Sequence, residues 1–425
     1  QVFGLKPIDS KEFFISDKYL LGQALFYDPL LSGNRDVSCS TCHLVDYGTS
    51  DGLDLSIGVG GQGKGALRVS ISAKELHPRN SMDLWNRDHN NVSSMFWDGR
   101  IEVTSSVTNK FKTPLGQGLP AGLDNLMAAQ SLFPLITPNE MLGYPGNVSS
   151  IFNAPEHTSR TNEYAEEYAD TGVAILHADE IFKSILARIF GADTLQDEEP
   201  WHATYLALFQ KAYPEAEEIS ISHIANALAH FIEVAFATRG SKWDEYLAGK
   251  TTALTPISKQ GAILFYGKGR CAVCHSGETF SDYDFHSIGV IDSDWRIMSS
   301  ERDVGRYAVT GNDKDKYTFR TPPLRNAANT APYFHNGTVD SLFEAVKHHV
   351  QPLRNVNRYH ESGRFLLNRE QADSISPLLV RGLELNDMEI VSILEFLNSL
   401  SFAHSDEELR KVIPDKVPSG LEFLH

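Results

Sequence analysis

Cys39-Ser40-Thr41-Cys42-His43 and Cys271-Ala272-Val273-Cys274-His275 contain the only four cysteines of the chain, and both runs have the Cys-x-x-Cys-His spacing that attaches a c-type haem. The spacing has a chemical cause. Each thiol adds across one vinyl group of the porphyrin, and the adjoining imidazole then reaches the iron as its proximal ligand. Two covalently held haems c are expected, with His43 and His275 as proximal ligands. A zinc site would need another pair of soft ligands in register, and a redox dithiol sits in a βαβ setting rather than before a histidine. Two small disulfides are the other plain reading. The histidine that closes each pair, with no cysteine left over, weighs against it.

Working outward, each run is preceded by the same phrase, Gly22-Gln23-Ala24-Leu25-Phe26-Tyr27 and Gly261-Ala262-Ile263-Leu264-Phe265-Tyr266. The chain reads as an internal duplication, with one helix beside each haem edge. Ile221 to Thr238 is a strongly apolar helix with Ile224, Leu228, Phe231, Ile232 and Ala235 on one stripe, and it closes a first domain. The break at Arg239-Gly240-Ser241, followed by Leu247-Ala248-Gly249, is the linker. Asn386 with Glu389 forms a helix cap ahead of Ile390, Ile393, Leu394 and Leu397, which resembles the last helix of a cytochrome c fold. Strand signals are few and the loops are rich in Gly, Pro and Asn. The expected fold is mainly α and loop-rich: two cytochrome c-like domains, residues 1–240 and 241–425, each with one covalently attached haem c.

With 425 residues, 41% of them hydrophobic and 22% charged, the chain is long enough for two cores. A formal charge of −17 with no basic run argues against nucleic acid or an anionic membrane as partner, and leaves room for a basic partner protein. No apolar stretch approaches the ~18 residues that span a bilayer. Gln1 opens the chain without a signal-peptide pattern, so a processed product is expected. Covalent haem attachment in bacteria takes place outside the cytoplasm, which makes the periplasm the expected location.

Three further motifs join the two haem runs: Phe96-Trp97-Asp98-Gly99-Arg100, Pro138-Asn139-Glu140-Met141, and Phe319-Arg320-Thr321-Pro322-Pro323-Leu324-Arg325-Asn326. Together, in this order and over nearly the whole chain, they resemble the bacterial di-haem cytochrome c peroxidase and MauG family. The resemblance implies peroxide chemistry at the first haem, an electron-transfer role for the second, and a calcium ion between the domains. Many peroxidases of the family carry a distal histidine in a Gly-rich segment, released only after the second haem is reduced. Here Val59 stands at that place in Ser56-Ile57-Gly58-Val59-Gly60-Gly61, and valine cannot ligate iron. An open first haem is expected, with His77 and His89 as the alternative donors.

The family's catalytic Gln, Pro and Glu correspond to Gln130, Pro134 and Glu140. Glu140 is the acid/base candidate, a role suited to a carboxyl whose pKa burial raises; its plain alternative is a helix cap after Pro-Asn. Trp97 matches the family's tryptophan between the haems, and Arg100 is suited to a haem propionate through its planar fork. The family's second-haem distal ligand, Met in the peroxidases and Tyr in MauG, falls seventeen residues beyond the Pro of a Thr-x-Pro segment. From Thr330-Ala331-Pro332 that count reaches His349, with His348 beside it and Met388 as another donor. The plain alternative is that both histidines are helix-surface residues. Calcium would take Asn80, Thr330 and Pro332, oxygen donors that suit a hard ion.

Three functions compete. A peroxidase would reduce hydrogen peroxide with electrons from a small redox protein, a cytochrome c or copper protein. A MauG-like enzyme would use peroxide to oxidise residues of a partner protein. A plain electron carrier would have no need of Gln130, Pro134 and Glu140.

Overall fold

Ser16 opens the first helix, α1 (Asp17–Tyr27), by accepting the Tyr19 N–H on its side-chain oxygen, with Asp17 in the positive first turn. Gly22 in its middle is there for contact. A Cβ at that position would stand 2.0 Å from the Ala227 carbonyl oxygen of α2 (Ile221–Ala235), so only glycine lets the two backbones meet. The second copy repeats this. In α3 (Pro256–Tyr266) a Cβ on Gly261 would stand 1.8 Å from the Ser392 carbonyl oxygen of α5 (Asp387–Asn398). The two crossings extend alike, one reaching Phe231 and the other Phe396 four residues further on. The repeated phrase is thus the signature of one helix crossing built twice. The expected cap of α5 forms reciprocally: Asn386 accepts the Glu389 N–H, and Glu389 accepts the Asn386 N–H, each at 3.0 Å.

The computed structural model describes residues 5–9, 12–70, 76–105, 110–145, 162–191, 199–290, 302–352, 369–380 and 382–425. Helices dominate them, and the strands are short. β1 (Ser94–Met95), β2 (Ile101–Val103) and β3 (Phe111–Lys112) form an antiparallel sheet in which Met95 faces Ile101. The turn between β1 and β2 carries Phe96 to Arg100, with positive φ at Phe96 and Gly99 (65° and 63°). β4 (Phe285–His286) pairs with β5 (Phe319–Arg320), and the Arg320 N–H donates to the Trp97 carbonyl at 2.8 Å. A strand of the second lobe therefore grips the tryptophan turn of the first. No described helix is long and apolar enough to cross a membrane.

One helix crossing lies within residues 1–240 and the other within 241–425, while the chain ends cross from one lobe to the other. The Ile8 N–H donates to Asp244 Oδ1 at 2.9 Å, Lys6 pairs with Glu278, and Leu5 packs on the second core. Conversely, Val412 and Val417 belong to the first core, Gln23 donates to the Lys411 and Val412 carbonyls, and Ser419 donates to Asp28. Apolar periodicity reports local helices and is silent on such long-range returns. A buried ion cluster joins the lobes: Arg79 gives a two-pronged contact to Asp303 (2.8 Å each) and a third bond to Asp98 (2.6 Å). Burial would raise the Asp98 carboxyl, but Arg79 and then Arg100 outweigh it and hold it below the usual range.

Candidate active site

Two cavities lie side by side, one per lobe. Cys39, Cys42 and His43 line the first with Gln130, Pro134, Glu140, Arg100 and His77. Cys271, Cys274, His275 and His349 line the second, amid aliphatic side chains such as Val346, Leu383 and Leu397. Asn80 to Asp83, Trp97 and Arg320 belong to both walls. Trp97 is thus part of the partition. Its Nε1–H donates to the Asn80 carbonyl at 3.0 Å. On the second side its ring lies 6.5 Å from that of His335, which stacks on Phe319 at 3.6 Å.

The residues suit a covalently attached haem on four counts. Burial pushes the Cys39 and Cys271 thiols up to about 12 and raises Cys42 as well, so these are apolar thiols and not the acidic thiolates of a redox dithiol. Among the described residues none is in a disulfide. His43 donates from Nδ1 to the Thr49 carbonyl at 2.9 Å, and His275 from Nδ1 to the Phe280 carbonyl at 3.1 Å, which leaves each Nε2 with a lone pair for a metal. Burial keeps both rings neutral, and His275 is lowered to about 4 by burial and then by His349. Finally, Arg87 and Arg320, both buried in the first wall, each hold a buried Nη1 without a hydrogen-bond partner. Buried cations of that kind call for an anion, and haem propionates supply one.

In the second cavity the His275 and His349 ring centroids are 6.5 Å apart, about what two metal–nitrogen bonds of ~2 Å and two half-rings span. His349 donates from Nδ1 to the Ala345 carbonyl one turn back in α4 (Leu342–Val350), so its Nε2 is left for a metal. His348 turns elsewhere, with Nε2 bonded to the Ile288 carbonyl at 2.7 Å and no part in the cavity wall. Met388, 71% exposed, is not a wall residue either. Asp282 and His286 lie near Cys274 in a grouping of metal-donor type; a thioether at Cys274 would remove it from such a set.

Glu140 sits in a π-type turn, Pro138–Leu142, closed by the Gly143 N–H to the Pro138 carbonyl at 2.9 Å. The Gly-rich segment braces this turn. A Cβ on Gly58 would collide with the Asn139 and Glu140 carbonyls, the Val59 N–H donates to Glu140, and Arg68 ties Ile57 and Gly58. The Val59 side chain enters the first core and takes no part in the cavity wall. His77 enters that wall and meets Glu140 Oε1 at 2.9 Å, whereas His89 faces Glu278 and lines neither cavity. This changes the expected electrostatics of Glu140. Burial does raise it, but His77, Arg100 and His43 together outweigh burial and hold the carboxyl below its ordinary value. Arg100 is partly committed as well, bonded to Asp98 at 3.1 Å and stacked 3.6 Å over Phe96. Asn80, Thr330 and Pro332, the expected calcium set, share the wall of the second cavity. Arg87, Arg320 and His335 have no place in the sequence reading. Only Arg320 had a signal, its seat in the Phe319–Asn326 motif.

Two lobes, each built on the same helix crossing and each with a cavity lined by a Cys-x-x-Cys-His run, define the class of protein, and comparison with known proteins names the family. The profile described as di-haem cytochrome c peroxidase matches residues 16–252, and the chain belongs to that family. It is 29% identical to a cytochrome c551 peroxidase of Pseudomonas aeruginosa over 327 residues, 77% of this chain and 69% of that protein. It is 26% identical to the cytochrome c551 peroxidase of Nitrosomonas europaea over 405 residues, 95% and 86% of the two chains. Its fold is similar to the crystal structure of a MauG-like protein associated with microbial copper homeostasis, with a TM-score of 0.62 at 23% identity, covering 97% of this chain and 99% of that one. The protein is an oxidoreductase acting on peroxide, and membership implies haem c as its cofactor.

Proposed function

We propose that the protein is a periplasmic di-haem peroxidase that reduces hydrogen peroxide in the first cavity with electrons delivered through the second. The grouping of Glu140, Gln130 and Pro134 with Cys42 and His43 on one wall carries this reading. An electron carrier has no use for such a pocket. When bound, the two haems would pass to peroxide the electrons taken from an external donor, one held by Cys39, Cys42 and His43 and the other by Cys271, Cys274, His275 and His349. Glu140, ionised at neutral pH, takes a proton from the incoming peroxide and returns it to the oxygen that leaves as water. Gln130 offers an amide donor and acceptor beside it, and Pro134 adds wall without adding an N–H. Trp97, common to both walls, is the residue suited to pass charge between the lobes. Arg87, Arg320 and Arg100 would meet propionates. For calcium, the Asn80 amide donates its Nδ2 to the Leu53 carbonyl, so its own oxygen is left as a hard donor near Thr330 and Pro332.

The electron donor of the peroxidase reading is a small cytochrome c or copper protein. The MauG-like reading, oxidation of a protein substrate, is favoured by the core placement of Val59 and by His349 where the peroxidases have Met. Electron paramagnetic resonance and turnover together test the proposal. The diferric protein is expected to give one high-spin and one low-spin signal, and to turn over peroxide rapidly with a reduced cytochrome. Two low-spin signals would remove the open site, and slow turnover beside oxidation of an added protein would favour the MauG-like role.

A further inference from the structure

His77 has no part in the steps above, yet it stands inside the peroxide pocket. Its Nε2 is 2.9 Å from Glu140 Oε1, with both side chains only 19% exposed. The backbone fixes it there: the His77 N–H donates to the Ser56 carbonyl at 2.7 Å, next to an antiparallel bridge between Ile57 and Leu76. Its other ring nitrogen lies 3.0 Å from the Arg79 carbonyl oxygen and 3.3 Å from the Arg79 N–H. Glu140 is braced by the same Gly-rich segment, because Ser56 holds His77 and Val59 holds Glu140. Asn139 completes the frame by donating to the Leu76 carbonyl at 2.8 Å. Five backbone and side-chain contacts thus converge on a single His–Glu hydrogen bond.

We propose that His77 is a positioning residue for Glu140: it holds the carboxylate in the pocket and shares the proton that the carboxylate takes from peroxide. This rests on the peroxide site proposed above. In the balanced reaction hydrogen peroxide takes up two electrons and two protons and leaves as two waters, the electrons coming from the external donor. The pair moves one proton from one peroxide oxygen to the other, the O–O bond breaks, and the protonated oxygen departs as water. A carboxylate bonded to an imidazole takes up and releases that proton inside the pocket, without recruiting bulk water. The charged and titratable groups facing Glu140 are His77, Arg100, His43 and Cys42, and His77 also faces Asp51. Without His77 the largest opposition to burial is lost and the proton affinity of Glu140 rises, so the acid limb of any reaction that needs the carboxylate moves to higher pH.

The test uses the diferric full-length holoprotein and hydrogen cyanide, a weak acid that, like peroxide, must give up a proton to bind. Stopped-flow association is followed across pH. His77→Ala is expected to slow cyanide uptake by about 10- to 100-fold, the usual cost of losing an orienting partner, and to move the acid limb to higher pH. His77→Gln, which keeps a donor to the carboxylate but cannot titrate, is expected to recover most of the neutral-pH rate without restoring the profile. Glu140→Gln combined with His77→Ala is expected to be no slower than Glu140→Gln alone. An unchanged rate and profile in His77→Ala would overturn the proposal. So would a resting spectrum that changes from low to high spin in that variant, which would make His77 an iron ligand. If the unmodified holoprotein takes up no cyanide, the peroxide site itself fails, an outcome distinct from the other two.

Discussion

The two cavities grow from the same helix crossing and share a partition, yet they are furnished differently. Beside His43 the first carries Glu140, His77, Gln130 and Arg100, groups that move protons or set charge. Beside His275 the second carries His349 and an aliphatic surround. Burial acts on both, with opposite results. In the first, charged neighbours overcome it and Glu140 stays ionised; in the second, burial outweighs the carbonyl partners of both rings and the Asp282 charge near His275, and His275 and His349 are kept neutral. On the proposed function, a duplicated scaffold needs few substitutions to separate a site for chemistry from a site for storing an electron. The scaffold supplies the thiols and proximal imidazole, and the neighbouring loops supply the difference.

The sharpest way to break this contrast is to open the second site. His349→Ala is expected to convert the His275 haem wholly from low to high spin and to raise its potential, since the ferric state loses a strong nitrogen donor; His348→Ala should leave both unchanged. Electron paramagnetic resonance with a redox titration checks this, and reversed effects would exchange the two histidines. Next in size, Glu140→Gln is expected to slow the bimolecular reaction with peroxide by about 10²- to 10⁴-fold while both haems stay bound, because an amide cannot accept the proton. Stopped-flow mixing decides it, and an unchanged rate would reduce Glu140 to a turn residue. The smallest effect addresses what the lobes have in common. Gly22→Ala and Gly261→Ala should each destabilise the protein by about 1–3 kcal/mol through overpacking, measured by denaturant unfolding of the holoprotein. A marked inequality would mean that only one crossing resists adjustment.

How much of this was legible in the sequence follows from the range of each interaction. The repeated Gly-x-x-Leu-Phe-Tyr phrase and the Asn386–Glu389 cap are local patterns with counterparts in the structure, and each Cys-x-x-Cys-His run lies on a cavity wall. Gln130, Pro134 and Glu140 were readable only through family resemblance, and the structure gathers them at one wall. The ionised state of Glu140 was misread, because it depends on His77, a residue from a distant segment. Arg87 carries no signal at all; its importance lies in a buried N–H without a partner, which only coordinates reveal. The returns of the chain ends were invisible for the same reason.

Those returns have a consequence for how the protein is made. The first core takes in Val412 and Val417, far along the chain from the helices they cover, while Leu5 and Ile8 are seated on the second lobe. The first lobe cannot complete its core until Val412 and Val417 have reached it, and until then it displays the apolar floor on which they lie. The same lacing means that severing the chain at Arg239 to Ser241 would yield two fragments still buttoned to each other, not two separable cytochromes.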